Sequence, residues 1–578
     1  MVRVQAEGVF QSDAFYDALD EAGIMAFQEL MGGPPGLNNG PVARADYEME
    51  VRGQVRRLAR HPSVVLWCAC NECGGGKGDP TTYALTIVTE EDSTRAIWPA
   101  SPAHFGWKSG VNMLTGMPNG LALQVGNATN GGLVVNESHG PYQFGGSDKF
   151  IPTNGAAGMG NDTVFPHVPT GGGDVFIPSM LPTSTPQVCH QAWYAAGCLC
   201  GEKCAKVGAA HPGEFASEFG VAGGMSSFEA VSATLSPAHW GLHANHNIWA
   251  QRDFPCDNLI ASFWGVPAVL ALDTDPPGEA TLKRQLYQCM MSQALFMKAD
   301  IESRKTHNTW GLLTWQLTDF WPAGQWGSVE TGAAVPGAVV GGRWKPLHHW
   351  QRQHLFTTIS TAVCDDGRAY VRNDDSRPFV GSLNISAVHL LSGKVTESAL
   401  SPVRLGSGAG TLQWINAQAA MTACPPASCV LISRVYQAGQ LGDAEDEDVM
   451  VSENVQLQKP PYELQLAQAT LSFVVGSTIE QVTDPDCGPP TTAGPCQPTR
   501  NGTHFVAIKV KTDKVAVAVA LTTTAVGYFS PNYFLAVPST KPIIVNFILF
   551  DTADTQKVLG ALRSTTRIEH LAQHVTKF

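Results

Sequence analysis

The chain has 578 residues, of which 44% are hydrophobic and 15% charged, and its formal net charge is −13. This length exceeds one ordinary core, so we expect a globular protein of about two to four domains. No apolar stretch is long enough to span a bilayer, and the negative charge argues against a polyanionic partner. We therefore expect neither a membrane nor a nucleic-acid partner, whereas a neutral ligand such as a sugar is compatible with the charge.

Strand-like and helix-like segments alternate from the first residue to about residue 350, which is typical of a parallel βα fold. The predicted strands are 3–5, 24–28, 63–68, 95–99, 133–135, 214–217 and 309–315, and the predicted helices are 12–22, 44–60 and 279–302. Ser12 is the expected N-cap of the first helix. A (β/α)8 barrel takes about 250 residues, and we assign residues 1–353 to a TIM-type barrel of this kind.

A glycine-rich segment interrupts this region. Residues 110–173 contain 15 glycines in 64 positions, more than twice the share of the whole chain. This composition predicts a long, flexible loop insertion over about residues 110–186 rather than a folded module.

After residue 354 the pattern changes to short strands and turns, which indicates β-sandwiches. We predict one immunoglobulin-like sandwich over 354–456 and a second over 457–578, with Pro460-Pro461 at the boundary. A short helix near 555–570 is expected to close the chain.

Cysteines and glycosylation triplets bear on the compartment. The 14 cysteines permit disulfides, and the pairs Cys424/Cys429 and Cys487/Cys496 flank Pro- and Gly-rich loops, so we predict local bridges there. No zinc-type Cys-x-x-Cys pair occurs near Cys198, Cys200 and Cys204, so no metal or other cofactor is predicted. Five Asn-x-Ser/Thr triplets fit a lysosomal, vacuolar or secretory route, although such triplets also arise by chance and no signal-peptide pattern precedes them. They begin at Asn127, Asn136, Asn161, Asn384 and Asn501.

Two glutamates, 146 residues apart, each end a predicted buried strand: Glu72 in Ser63-Val-Val-Leu-Trp-Cys-Ala-Cys-Asn-Glu72, and Glu218 in Phe215-Ala-Ser-Glu-Phe-Gly220. Two carboxylates brought together from distant strands are the minimum equipment of a retaining glycosidase, which holds them about 5–5.5 Å apart. Residues just past barrel strands line the catalytic face. Glu72 is therefore the candidate general acid/base and Glu218 the candidate nucleophile, although a lone glutamate after a strand is more often a solvated or capping group.

Several segments in order along the chain carry a resemblance to glycoside hydrolase family 2, and within it to the β-mannosidase branch. They are His61–Glu72 with its Asn-Glu pair, Phe215–Gly220, Trp310–Pro322, Gly342–His348, Phe15–Met25 and Gly527–Leu535. The resemblance implies a (β/α)8 hydrolase that removes terminal non-reducing β-D-mannose residues from oligosaccharides with retention of configuration and without a metal. It implies that Asn71 hydrogen-bonds the sugar 2-hydroxyl, that Trp315 forms an aromatic wall, and that His139 and Tyr142 lie near the sugar.

Alternative roles for some of these residues remain open. Trp315 could instead be a barrel-core tryptophan, and His139 and Tyr142 could be ordinary loop residues. Asp319 and Trp321 are expected near the pocket rim, although an Asp-aromatic pair that closes a loop fits equally well.

The chain also departs from the family pattern. Two further β-domains and the first barrel strand precede the corresponding point in family members, so we expect seven of eight barrel strands here. Gln5, Phe27, Glu29 and Cys70 differ from the residues usual at their positions, which bears on mannose recognition more than on the chemistry. An endo-β-mannosidase, an exo-β-glucosaminidase, and a truncated or inactive carbohydrate-binding homologue are therefore the alternatives.

Overall fold

The computed structural model describes residues 1–6, 8–31, 41–71, 86–98, 101, 136–143, 168–170, 173–175, 214–244, 256–306, 311–331, 334–335, 338–339, 343–397, 400–408, 410–437, 449–483, 502–550 and 555–575. Contacts divide the chain into two compact units. The first comprises residues 1–140, 211–219 and 308–314, and the second comprises residues 141–210, 220–307 and 315–578.

The labelled helices are α1 (Asp13–Ala22), α2 (Pro41–Leu58), α3 (Phe228–Ser232), α4 (Asp257–Trp264), α5 (Val266–Thr274), α6 (Glu279–Thr306), α7 (Pro346–Trp350), α8 (Gln418–Met421) and α9 (Thr555–Thr565). The strands to residue 344 are β1 (Val2–Val4), β2 (Ala26–Glu29), β3 (Val64–Cys68), β4 (Ala96–Trp98), β5 (Asn136–Gln143), β6 (Val168–Thr170), β7 (Gly173–Val175), β8 (Glu214–Val221), β9 (Gly224–Met225), β10 (Gly311–Thr314), β11 (Gly324–Gln325), β12 (Val329–Glu330), β13 (Ala334–Val335), β14 (Ala338–Val339) and β15 (Arg343–Trp344). The later strands are β16 (Ile359–Val363), β17 (Arg368–Asn373), β18 (Phe379–His389), β19 (Val395–Glu397), β20 (Ser401–Leu405), β21 (Thr411–Asn416), β22 (Cys429–Gln437), β23 (Val449–Leu457), β24 (Leu471–Val475), β25 (Glu480–Gln481), β26 (His504–Thr512), β27 (Ala516–Thr522), β28 (Gly527–Ser530), β29 (Phe534–Ala536), β30 (Ile543–Leu549) and β31 (Arg567–Glu569).

The first unit is built on parallel strands. β1, β2, β3 and β4 form one sheet in the order of the sequence, with all three pairings parallel. β8 lies between β10 and β5 in a second sheet, and the β8–β10 pairing is parallel. Helices follow β1 and β2, as the alternating pattern predicts.

Both faces of the first sheet are buried, which explains the continuous apolar runs of its strands. One face carries Ala26, Val64 and Trp67 and packs against the amphipathic helices, whose Tyr16, Val51 and Val55 are buried. The opposite face carries Phe27, Leu66, Cys68 and Trp98 and packs against Phe215 of β8. The Trp98 ring meets Phe27 and Phe215 edge-on at 5.3 and 5.7 Å. The two sheets therefore share one apolar interior, with α1 and α2 on the outer face of the first sheet. Closure into a (β/α)8 barrel stays a prediction.

Helix α6 is the longest described helix, and it is buried on almost every side. Its second half holds two buried ion pairs, Lys298–Glu302 at 2.5 Å and Arg304–Asp300 at 3.2 Å. Burial lowers the pKa of Lys298 and raises the pKa of Asp300, which in each case favours the neutral form. A disulfide between Cys256 and Cys289 joins the start of α4 to α6, a bridge that the sequence did not predict.

Two sandwiches follow the helical part of the second unit. In the first, β16, β17 and β21 form one sheet and β19, β18, β22 and β23 form the other, with β20 on β18. Val363 and Val371 from one sheet share a core with Leu383 and Leu431 from the other. In the second, Ile508 and Phe547 pack against Val519 and Phe534 in the same way. The helix predicted near 555–570 is α9, which packs Leu559 and Leu562 on this core.

Several local predictions can be compared with the structure. The Cys424–Cys429 disulfide is confirmed, whereas Cys487 and Cys496 lie outside the described residues. Ser12 occupies the N-cap position of α1, but its side chain makes no capping hydrogen bond. Within the predicted insertion 110–186 only 136–143, 168–170 and 173–175 are described, and they are strands where the glycine content predicted loop. The positions of the predicted domain boundaries stay predictions.

Asn384 is poorly suited to glycosylation, although it begins one of the sequence triplets. It lies inside β18, which pairs with β20 on one side and β22 on the other, and it is 7% exposed. Ser386 Oγ donates a hydrogen bond to its Oδ1 at 2.8 Å. This triplet therefore gives no support to a secretory route.

Candidate active site

Four polar residues of the first unit meet on the inward side of its parallel sheets. Arg3 lies in β1, Glu29 ends β2, Asn71 follows β3, and Glu218 lies in β8. The main chain continues to pair just past β3, where Asn71 forms a parallel bridge with Ser101. Each side chain is thereby placed by a strand or a strand extension rather than by a long loop.

The Arg3 guanidinium joins these groups. Its Nη1 donates to Glu218 Oε2 at 2.5 Å and to the main-chain oxygen of Ser217 at 3.2 Å. Its Nη2 donates to Asn71 Oδ1 at 2.6 Å and to Glu29 Oε1 at 2.6 Å, and its Nε donates to the same Glu29 oxygen at 3.0 Å. A planar guanidinium presents its donors in a fixed fork, so these contacts set the relative positions of the Glu218 and Asn71 side chains.

Glu29 is fully buried, and both of its carboxylate oxygens are engaged. Oε1 accepts from Arg3, and Oε2 accepts from the main-chain nitrogen of Ala6 at 2.7 Å. Burial raises the pKa of Glu29, although Arg3 acts in the opposite direction. Burial also opposes the charge on Arg3, but Glu29 and Glu218 together raise the pKa of Arg3. Glu29 therefore serves as the buried counter-ion of Arg3.

The structure brings two of the predicted site residues together. Glu218 is 6% exposed and Asn71 is half-buried, and Arg3 brings the two together. Glu72 lies outside the described residues. His139 and Tyr142 fall within β5, of which the structure describes the backbone, so they belong to a strand rather than to the segment after one.

Trp315 directly follows β10 and is half-buried. Its main-chain oxygen lies against Gly220, where a Cβ atom would come within 2.2 Å of it. Gly220, the last residue of the Phe215–Gly220 phrase, is therefore needed for close approach of two backbones rather than for a turn.

Asp319 is not a rim residue. It is 1% exposed and pairs with Lys345 at 2.5 Å, and the main-chain nitrogen of Gly327 donates to its Oδ1 at 2.9 Å. Burial raises the pKa of Asp319 to about 6, against the effect of Lys345. The loop-closing interpretation of the Asp-aromatic pair is therefore the correct one for Asp319.

Arg3 and Glu29 as an ion pair are the part of the site that sequence reasoning missed. Glu29 was noted only as a departure from the family pattern, and Arg3 only as a strand residue. A usable signal was present, because an arginine and a glutamate inside two buried parallel strands require partners.

One group among the described residues has side chains close enough to hold a metal ion: Asp17, Asp20 and His61. His61 Nδ1 is bonded to Asp20 Oδ2 at 2.8 Å, and Asp20 Oδ1 accepts from the main-chain nitrogen of Ser63 at 2.8 Å. These contacts fix the turn that leads into β3, so the group has a structural explanation.

The family model and two curated relatives that match this chain are all of mannosidases. The model of the Ig-fold domain family Ig_mannosidase matches residues 497–574. β-Mannosidase of Mus musculus is 25% identical over 381 residues, which cover 64% of this chain and 36% of that protein. β-Mannosidase A of Aspergillus fumigatus is 21% identical over 530 residues, covering 83% of this chain and 50% of that protein. The chain thus spans about a third to a half of the length of these curated relatives.

Solved structures show the same fold. The β-D-mannosidase of Dictyoglomus thermophilum superimposes with a TM-score of 0.60 at 17% identity, covering 98% of this chain and 55% of that one. The exo-chitosanase of Amycolatopsis orientalis gives a TM-score of 0.59 at 13% identity, covering 98% and 59%. The chain therefore shares a multidomain fold with more than half of each of these two proteins.

In sequence and in fold the chain is therefore similar to β-mannosidases. The similarity to β-mannosidases holds for an animal and a fungal relative alike. Among the described residues, no helix combines the length and the apolar character required to cross a bilayer.

Proposed function

We propose that the chain carries the catalytic centre of a retaining exo-β-mannosidase, which acts on terminal non-reducing β-D-mannose residues of oligosaccharides. The observation that carries the proposal is the Arg3 guanidinium, which holds together Glu218 of β8 and Asn71, just past β3. A nucleophile and a sugar-binding amide need this kind of fixed geometry, since effective catalysis depends on prepositioned groups.

Glu218 is assigned as the nucleophile. A carboxylate oxygen of Glu218 attacks the anomeric carbon while the bond from that carbon to the aglycone oxygen breaks, and Glu72 gives its proton to the departing oxygen. Water then gives a proton to Glu72 and attacks the same carbon from the opposite side. The bond to Glu218 breaks, and the sugar leaves with its original configuration.

Arg3 is assigned the task of keeping Glu218 in position. Its contact to Glu218 Oε2 is a charge-assisted hydrogen bond, the strong kind. The contact from Arg3 to Asn71 Oδ1 orients the amide so that its Nδ2 hydrogens can donate to the sugar 2-hydroxyl. Such a contact strengthens in the transition state of glycoside hydrolysis.

Trp315 is assigned as an aromatic wall for the sugar ring, and His139 and Tyr142 as nearby substrate-binding residues. These three roles rest on the sequence resemblance, because each residue stands at a position that matches a sugar-binding residue of the family. A (β/α)8 barrel of residues 1–353 with sandwiches at 354–456 and 457–578 is the proposed domain plan. A lysosomal, vacuolar or secreted location is proposed on the remaining glycosylation triplets.

The environment of Glu29 bears on sugar specificity. The family pattern has an aspartate where Glu29 stands, and both oxygens of Glu29 are bound by Arg3 and Ala6. Because Glu29 is also fully buried, its carboxylate is not accessible to a sugar hydroxyl. An exo-β-glucosaminidase is therefore the second candidate, and an aryl β-D-glucosaminide is the comparison substrate.

The test is hydrolysis of an aryl β-D-mannoside beside an aryl β-D-glucosaminide by the wild-type chain and by Glu218→Ala. We expect Glu218→Ala to lose at least about a thousandfold in kcat, because removing the nucleophile removes the covalent path. Added azide should then restore turnover and give the glycosyl azide of inverted configuration.

Glu302→Gln is the matched control, since it alters a buried glutamate in the second unit. Wild-type rates in Glu218→Ala would refute the nucleophile assignment. Faster cleavage of the glucosaminide would replace the mannosidase by the second candidate.

A further inference from the structure

A buried ion pair lies behind the segment that begins with Trp315. Asp319 and Lys345 are each 1% exposed, and Lys345 Nζ lies 2.5 Å from Asp319 Oδ2. Lys345 Nζ also donates to the main-chain oxygen of Gly224 at 2.6 Å. The pair thus connects three stretches of the second unit: residues 315–331, called here the Trp315 segment, the residues after β8, and the start of α7.

Main-chain hydrogen bonds extend this connection toward Trp315. The nitrogens of Ser328 and Val329 donate to the oxygen of Leu317 at 3.1 and 2.9 Å. The nitrogen of Asp319 donates to the oxygen of Val329 at 2.8 Å. The Trp315 segment is therefore folded on itself immediately next to Trp315, and the ion pair ties this folded segment to Lys345.

A second contact fixes the Trp315 segment to the end of β8. Gln293 of α6 is fully buried, and its Nε2 donates to the main-chain oxygens of Val221 at 3.0 Å and Trp326 at 3.1 Å. Gly220 meanwhile packs against the main-chain oxygen of Trp315. The backbone at Trp315 is consequently held against the residues that follow Glu218 in the chain.

The other charged groups beside the pair have partners of their own. Glu330 of β12 accepts from Arg343 of β15 at 2.5 Å and from Ser227 Oγ at 2.8 Å. Ser226 Oγ donates to Asp319 Oδ2 at 3.4 Å.

Two buried ions cost several kcal/mol each to desolvate, and an apolar pair of similar size often gives equal stability. A buried pair at this place is thus better explained by the geometry that it imposes.

We propose that Asp319 and Lys345 are positioning residues that hold Trp315 in place for sugar binding. The inference rests on the proposed function, which assigns Trp315 as the aromatic wall. Neither residue touches the sugar, and they act through the backbone of the Trp315 segment.

The test compares Asp319→Asn, Lys345→Met and the double variant D319N/K345M with wild type. Asn retains an oxygen for the Gly327 nitrogen but loses the charge. We expect each single variant to raise KM for the aryl β-D-mannoside about tenfold with a smaller change in kcat, the pattern of lost ground-state and transition-state binding. The double variant should raise KM less than the two single effects combined, because it leaves no unpaired charge.

Asp300→Asn is the matched control, since Asp300 is also a buried aspartate in an ion pair but lies on α6 outside the Trp315 segment. We expect it to leave KM unchanged. A similar KM increase in Asp300→Asn, or strictly additive effects in the double variant, would overturn the inference.

Hydrogen exchange in the free protein separates this inference from the proposed function. Amides of residues 315–331 should exchange faster in Asp319→Asn and remain as in wild type in Asp300→Asn. Unchanged exchange in Asp319→Asn overturns the positioning role whether or not the chain hydrolyses glycosides. Absence of hydrolysis by wild type, with faster exchange in the variant, would refute the proposed function and retain the structural part of the inference.

Discussion

His243 should make the stability of the second unit depend on pH above neutrality. The imidazole bridges two carboxylates: Nε2 lies 2.9 Å from Asp257 Oδ1, and Nδ1 lies 2.7 Å from Asp273 Oδ1. It thereby ties residues 241–244 to the first turn of α4 and to α5. Burial alone would lower its pKa, but Asp257 and Asp273 outweigh burial and raise the pKa of His243 to about 9.

The size of this stabilisation follows from the difference between the pKa of His243 in the folded protein and its pKa in the unfolded chain. A rise from 6.5 to about 9, at about 1.4 kcal/mol per unit, corresponds to about 3 kcal/mol. The side chain is 23% exposed, so screening by solvent removes only part of this amount. Because the folded pKa is the higher one, the stabilisation is complete below about pH 6.5 and is lost as the pH rises through about 9.

Thermal unfolding of wild type and His243→Gln between pH 6 and pH 10 measures the effect. Glutamine keeps polar atoms near both carboxylates but has no proton to lose, so the difference in Tm between the two proteins should shrink with rising pH. About 3 kcal/mol corresponds to roughly 6–12 °C for a cooperative unit of 150–250 residues. A difference in Tm that stays constant from pH 6 to pH 10 would refute the bridging imidazolium.

Two further results are expected. Arg3→Lys should lower kcat/KM for the aryl β-D-mannoside by about a hundredfold or more, because one ammonium cannot hold Glu218, Asn71 and Glu29 with the geometry of a guanidinium. Arg52→Lys is the control, since Arg52 of α2 also pairs with several carboxylates but lies outside the candidate site. Equal kinetics in both variants would contradict the role of Arg3. Asn384 should carry no glycan after expression in a secretory host, because it is buried between two neighbouring strands; peptide mass spectrometry would contradict its placement in β18 by finding substantial occupancy.

Buried elements carry the clearest pattern in the amino-acid sequence. The strand at Val64–Cys68 was predictable because both of its faces are buried and its residues are uniformly apolar. Helix α2 was predictable from Tyr47, Val51, Val55 and Leu58, which recur at helical spacing and are all buried. Strand β5 was misplaced by several residues, because Asn136-Glu-Ser-His-Gly-Pro-Tyr-Gln143 shows neither an apolar run nor alternation.

The candidate site was only partly predictable for a related reason. Glu218 and Asn71 could be found because each belongs to a recognisable phrase of the sequence. The contact between them depends on Arg3, which lies 68 residues from Asn71 and 215 residues from Glu218 along the chain. A single sequence contains no signal for pairing at that separation, and the ion pair of Asp319 with Lys345 escaped prediction in the same way.

The charged residues of α6 have a consequence for the order in which the second unit can assemble. A slip of this helix by one turn moves it about 5.4 Å and would carry Lys298, Asp300, Glu302 and Arg304 away from the surroundings that accommodate them. The two ion pairs lie within the helix and would move with it, but the hydrogen bond from Asn454 Nδ2 to Glu302 Oε1 at 2.6 Å would be broken. A buried polar group left without its partner costs about 1–3 kcal/mol, so partly shifted forms of the helix should be scarcely populated. Helix α6 would then reach its final register in one step.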